Sequence, residues 1–145
     1  MEHRTRERIP YRIFEHTADL GVEIYGRSRE ELFSNAAGAI CDIVTEGWDV
    51  GTAHERIIEA EGTDGEDLLV NFLREVLYLL NGKGFISREC RVAFTGDERL
   101  SAALRGEPLD MKKHRLTREI KAVTYHQVSL KQTGDGWSAR VIFDV

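Results

Sequence analysis

The stretch ending at Asn81-Gly82 constrains this chain most. Leu69, Phe72, Leu73, Val76, Leu77 and Leu80 recur at three- and four-residue steps. That spacing predicts a helix with one apolar face, stopped by Asn81-Gly82. Thr63 and Glu66 supply a capping-box start. A second helix is predicted from Ser28, with Glu31 completing its capping box. Leu32, Ala36, Ile40 and Ile43 form its stripe, Phe33, Ala37 and Val44 widen it, and Gly47 ends it. A chain with two such stripes must bury both, and what remains reads as strands.

The strands alternate. Tyr11 to Glu15 and Val22 to Tyr25 suggest a hairpin around a loop from His16 to Gly21. Arg56 to Glu61, Phe85 to Phe94 and Ala102 to Arg105 follow, then a polar loop from Gly106 to Leu116. Arg118 to Lys131 alternates long enough for a strand bent midway. Gly134-Asp135-Gly136 turns it into Trp137 to Asp144, with Trp137, Ala139, Val141 and Phe143 on one face. The expected class is α+β: a mostly antiparallel sheet packed with two main helices in a single compact domain. That domain spans 11–145 after a flexible polar N-terminal arm, 1–10. No internal repeat or interdomain linker is read from the sequence.

Composition narrows the function. The 145 residues are enough for a real core without staples. Lys plus Arg number 20 against 25 Asp plus Glu, a formal charge of −5, which disfavours a protein that grips nucleic acid alone. Cys41 and Cys90 make no disulfide framework and read as small buried apolar residues in a reducing compartment. The most apolar stretch, Leu68 to Leu80, is broken by Asn71, Arg74 and Glu75, so no membrane span and a cytoplasmic location are expected.

Three places carry candidate chemistry. His16-Thr17-Ala18-Asp19 lies just past a strand, where a charged side chain can meet a ligand; equally, Asp19 caps a turn. Asp144-Val145 brings a side-chain carboxylate beside the terminal one. Their repulsion would be relieved by a hard divalent cation, with Asp19 as third carboxylate, or simply by water at a frayed end. Lys121 stands in an apolar segment, to meet a phosphate or acidic partner or to snorkel from a solvent face. Lys112, Lys113, His114, Arg115, Arg118 and Lys121 form a basic cluster able to touch RNA or an acidic protein surface, without an aromatic residue between Lys112 and Lys121 for stacking. Phosphate loops, CxxC pairs, HExxH and GxSxG are missing from the sequence, and the five histidines show no zinc-ligand spacing.

Phe14 to Val22, Gly106 to Asp110, Glu119 to His126 and the closing Val141 to Val145 together resemble the archease family, as does the helix Asp67 to Tyr78. The likeness runs from about Tyr11 to Val145. It implies a non-enzymatic accessory protein of tRNA splicing and RNA repair. Such proteins activate an RtcB-type tRNA-splicing ligase by promoting guanylylation of its histidine and multiple turnover, and broaden its nucleotide triphosphate use. tRNA is then met indirectly, through the ligase. The resemblance also implies a metal, calcium in the family, with magnesium or manganese equally suited to oxygen ligands. By motif match its ligands are Asp19, Asp144 and the terminal carboxylate of Val145. Lys121 matches a residue important for activation, and His16 is grouped with it. The competing readings are a metal-dependent hydrolase and a general chaperone or modulator of nucleic-acid enzymes.

Overall fold

The computed structural model describes residues 10–16, 19–46 and 49–145. The elements run β1 (Tyr11–His16), β2 (Asp19–Gly26), α1 (Arg29–Thr45), β3 (His54–Glu61), α2 (Gly65–Asn81), β4 (Phe85–Gly96), β5 (Arg99–Pro108), β6 (Ala122–Thr133) and β7 (Gly136–Asp144). They build two antiparallel sheets, ordered β1-β2-β7-β6 and β3-β5-β4. Both helices lie between them. α1 packs on β2 and β7 of one sheet and β4 of the other; α2 packs on β3 and β4 of the second and β6 of the first. The α+β class and the single domain hold, with two sheets where one was expected.

This sandwich explains the helix compositions. α1 is buried beyond its predicted stripe, at Ala39 and Cys41 as well, because it is covered from both sides. Phe33 meets Phe72 of α2 with centroids 5.7 Å apart and Phe94 of β4 edge-on at 5.1 Å, tying the layers together. Phe33 and Phe72 are fully buried and each contributes about 1.5–3 kcal/mol; Phe94 is half-buried. Cys41 is buried and Cys90 is half-buried; burial pushes their thiols up to about 11 and about 12, so neither is a ready nucleophile. Among the described residues no helix is long and apolar enough to cross a membrane.

Several boundaries differ from expectation. Asp19 to Gly21 belong to β2, not to a loop: Asp19, Gly21 and Glu23 occupy its outer face while Leu20, Val22 and Ile24 face the core. Polar or small outer-face residues in a half-buried strand look like turn formers in sequence. For the same reason β5 starts at Arg99 and runs to Pro108, past the predicted loop start at Gly106. β6 begins only at Ala122. Its expected bend is real: residues 125–128 oppose the single Val141, and Gln127 adopts φ 54°. α1 ends at Glu46 with φ 52°; Gly47, its predicted stop, lies outside the described residues. So does the predicted arm, apart from Pro10, whose carbonyl accepts from the Tyr25 amide at 2.7 Å.

The structure also contains an internal repeat that the sequence reading missed. Gly26, Leu32 and Asn35 recur as Gly62, Leu68 and Asn71, a constant offset of 36. Ser28 Oγ accepts from the Glu31 amide at 3.0 Å; Asp64 Oδ1 accepts from the Asp67 amide at 2.8 Å. Glu31 accepts from the Arg27 amide at 2.6 Å, Asp67 from the Thr63 amide at 2.9 Å. Asn35 donates to the Tyr25 carbonyl at 2.7 Å, Asn71 to the Glu61 carbonyl at 2.8 Å. The second capping box therefore uses Asp64 and Asp67, not Thr63 and Glu66. Strand pairing repeats as well: β2-β7-β6 in one sheet matches β3-β5-β4 in the other.

Candidate functional site

Asp19 opens β2 and Asp144 closes β7, and the two are directly paired across the ladder. Paired residues project to the same face with Cβ atoms roughly 4.5–5.5 Å apart. The register follows from the core: Leu20 pairs with Phe143, Val22 with Val141 and Ile24 with Ala139, all buried. A one-residue slip would turn every one of these side chains outward, so apolar burial fixes the carboxylate pair. The early motif and the chain's last residues thus meet.

Two further candidates share this end of the sheet. The Lys121 amide donates to the Asp144 carbonyl at 2.7 Å, and its exposed side chain stands next to Ala122, which pairs with Asp144. Asn81 at the end of α2 holds the preceding Ile120 carbonyl at 3.0 Å. His16 closes β1 and pairs with Asp19; its side chain, with Thr17 and Ala18, lies outside the described residues. Val145 is half-buried and packs its side chain against the core, which anchors the tail.

Among the described residues neither Asp19 nor Asp144 has a side-chain hydrogen bond or ion pair, and no three His, Cys, Asp or Glu side chains gather as a metal cluster. The repeat supplies an internal comparison. The position matching Asp19 is Glu55, which pairs with Arg105 of β5, and Arg105 Nε lies 3.6 Å from Glu55 Oε2. That row carries its own cation. The Asp19–Asp144 row carries two like charges, an arrangement that destabilises a sheet unless a cation is supplied from outside. Two carboxylates suit a hard divalent cation, and Val145 follows Asp144 directly in sequence.

Comparisons with known proteins place the chain in a family. The model of the Archease protein family (MTH1598/TM1083) matches residues 11–145. The chain belongs to the archease family. Protein archease of Methanosarcina barkeri is 37% identical over 139 residues, covering 93% of this chain and 95% of the relative. Protein archease of Pyrococcus abyssi is 38% identical over 136 residues, covering 91% and 96%. The solution structure of Methanobacterium thermoautotrophicum protein 1598 superposes with a TM-score of 0.78 at 30% identity, covering 94% of this chain and 99% of that one. The crystal structure of a Thermotoga maritima archease, described as a "possible chaperone", gives 0.61 at 28% identity, covering 99% and 100%.

In this archease the Gly106-Glu107-Pro108-Leu109-Asp110 motif has a structural task that sequence reading did not find. His114 is buried, at 2% exposure. Its Nδ1 accepts from the Asp110 amide at 2.9 Å, so the ring proton sits on Nε2, 2.8 Å from Glu107 Oε2. Glu107 also accepts from Lys113 Nζ at 2.9 Å and from the Gly51 amide at 2.7 Å. Lys113, then that amide and His114, hold its carboxyl down at about 2. Lys113 and His114 therefore leave the displayed basic cluster, and His114 faces a main-chain amide rather than a nucleophile. The only advance signal was a carboxylate flanked by Gly and Pro.

The bend in β6 serves the neighbouring motif. It lets Tyr125 reach α2, where its hydroxyl donates to Asp67 Oδ1 at 2.6 Å and Arg74 lies 4.7 Å above its ring. Arg74 also donates to the Val123 carbonyl, at 3.1 and 3.2 Å. The Tyr125 bond shifts the Asp67 carboxyl below its usual range. Tyr125 thus fastens β6 to α2 close to where the strand begins at Ala122, just after Lys121.

Proposed function

We propose that this archease is an accessory protein, not an enzyme, that activates an RtcB-type tRNA-splicing ligase. It would promote guanylylation of the ligase histidine and repeated turnover, and widen nucleotide triphosphate use. The observation that carries the reading is the direct pairing of Asp19 with Asp144 beside Lys121, with no ion pair to either carboxylate among the described residues. Asp19, Asp144 and the Val145 carboxylate would hold a divalent cation, calcium first and magnesium or manganese by the same oxygen chemistry. A bound cation of this kind neutralises and orients phosphate oxygens. Lys121 would present a second positive charge to the same oxygens, and His16 would border the site from β1. tRNA would be met through the ligase.

The test mixes the protein with the ligase, GTP and metal and measures ligase–GMP formation. Wild type should raise it, and a folded Asp144→Asn variant should not. Full activation by that variant would overturn the cation reading. Turnover of RNA or nucleotide without the ligase would establish a hydrolase instead. A general chaperone would bind unrelated partners through apolar surface, but among the described residues the exposed large apolar ones, Ile13, Tyr25, Ile57, Tyr78, Met111 and Tyr125, are spread over six different segments.

A further inference from the structure

We infer that the open edge of β3 takes up an extended segment of a partner protein as a further antiparallel strand, with a basic residue opposite Glu59. The internal repeat carries this. β2 lies between β1 and β7, whereas its counterpart β3 adjoins β5 alone and ends its sheet. Among the described residues, the place that β1 fills in the first half has no strand in the second. This surface is separate from the Asp19–Asp144 row and does not rest on the cation reading.

The main chain of β3 is set for pairing. The Gly62 amide donates to the Glu98 carbonyl at 2.9 Å, so even-numbered residues turn their main-chain groups to β5 and odd-numbered ones turn outward. The matching outward group in β2, the Tyr25 amide, donates to the Pro10 carbonyl at 2.7 Å. Asn71 and Arg56 take the Glu61 and Glu55 carbonyls. The amides of Ile57, Glu59 and Glu61 have no partner among the described residues. Edges with such groups accept added strands in many peptide-binding domains. Beside this edge lies a groove of about 590 Å³, whose walls include Ala60 of β3 and Asn71, Arg74 and Glu75 of α2.

Side chains select the occupant. Glu23 is bound across the ladder by Arg12 of β1 and by Arg140 of β7, each at 2.9 Å. Its counterpart Glu59 stands opposite Ser101 of β5 and has no ion pair among the described residues. A strand added in the register of β1 sets opposite Glu59 the position that Arg12 holds opposite Glu23, so a basic residue belongs there. The residue before it falls opposite Ala60, where an apolar or aromatic side chain suits the groove and the exposed Tyr78. Tyr78 stands where the first half has Asp42, which accepts from the Tyr11 hydroxyl at 3.0 Å. Two places after the basic residue the strand meets Ile57, which is 60% exposed and suits another apolar side chain. Tyr11-Arg12-Ile13-Phe14 of β1 has this pattern. A second copy does not fit: two β3 edges paired about a twofold axis set Glu against Glu, or Arg56 against Arg56, in every register centred between Glu55 and Ala60.

The experiment adds a free peptide of residues 10–16, the segment that pairs with β2, to the full protein and follows amide hydrogen exchange by NMR. At about 1 mM peptide, exchange at Ile57, Glu59 and Glu61 should slow about fivefold, while Ile58, Ala60 and Gly62 are already slow from pairing with β5. A peptide carrying Arg12→Glu should bind about fivefold more weakly, and Glu59→Arg in the protein should restore its binding. Ile57→Pro removes an outward amide and leaves the β5 ladder whole, so that variant should fold and lose the peptide. Unchanged exchange at the three amides, protection at the β4 or β6 edge instead, or equal binding of both peptides overturns the inference. Protection of the three amides in the protein alone would put another part of the chain or a second copy on the edge, and that result overturns it equally.

Discussion

Glu107 Oε2 and His114 Nε2 lie 2.8 Å apart in a buried clasp that ties the end of β5 to the loop leading toward Asp144. The Glu107 carboxyl is held at about 2 against an ordinary 4.5, so its stabilisation is fully present above about 4.5 and is lost as pH falls toward 2. Glu23, bound by Arg140, Arg12 and Tyr25, is held at about 2 and acts in the same window. Glu107→Gln should cost about 1–3 kcal/mol at neutral pH. A pH series of Tm should show a flatter acid limb for the variant than for wild type; parallel limbs would show that Glu107 is not the titrating group.

Gly106 pairs with His54 on one side and Ser87 on the other, next to a register shift in β4. A Cβ there would run into the Ile86 carbonyl oxygen. Gly106→Ala should lower stability by roughly 1–3 kcal/mol, read from the urea midpoint at unchanged m. An unshifted midpoint would mean the strands separate at no cost.

Asn35 and Asn71 hold matching carbonyls in the two halves of the repeat. Alanine at either should cost about 0.5–1.5 kcal/mol, and by similar amounts. Urea unfolding of both single variants checks this. Strongly unequal losses would show that the two hydrogen bonds are alike only in drawing.

Much of this was legible in advance. Apolar steps of three and four located both helices, because α2 must hide Phe72 and Leu73 and α1 must hide Leu32 and Phe33. The last hairpin was legible because Ala139, Val141 and Phe143 recur at every second position after a glycine turn, although Ile142 between them is buried as well. Two sheets rather than one could not be read, since a strand's pattern tells which face is buried but not which neighbour it pairs with. The repeat stayed hidden because it is carried by capping and carbonyl bonds, which different residues, Ser28 and Asp64, make equally well. Asp19 was noticed but placed in a loop; only the register with Asp144 gives the pair its geometry. The Glu107–His114 clasp depends on a buried histidine that sequence placed among exposed bases.

Asp144→Arg would give the first half what Arg105 gives the second. The variant should fold with a Tm equal to or above wild type in the absence of divalent cations, by about 0.2–1 kcal/mol at most, since a like-charge pair becomes an ion pair. Thermal melts in chelator check it. A large loss would mean Asp144 is needed by the fold itself.

The most direct measurement is a calorimetric titration of Ca²⁺, and separately of Mg²⁺ and Mn²⁺, into the intact protein. The comparison set is Asp19→Asn, Asp144→Arg and a form extended beyond Val145. The account expects one site in wild type, about tenfold or more weaker in Asp19→Asn and in the extended form, and no binding in Asp144→Arg. Wild-type protein that takes up none of these cations, or variants that bind them as well as wild type does, would contradict it.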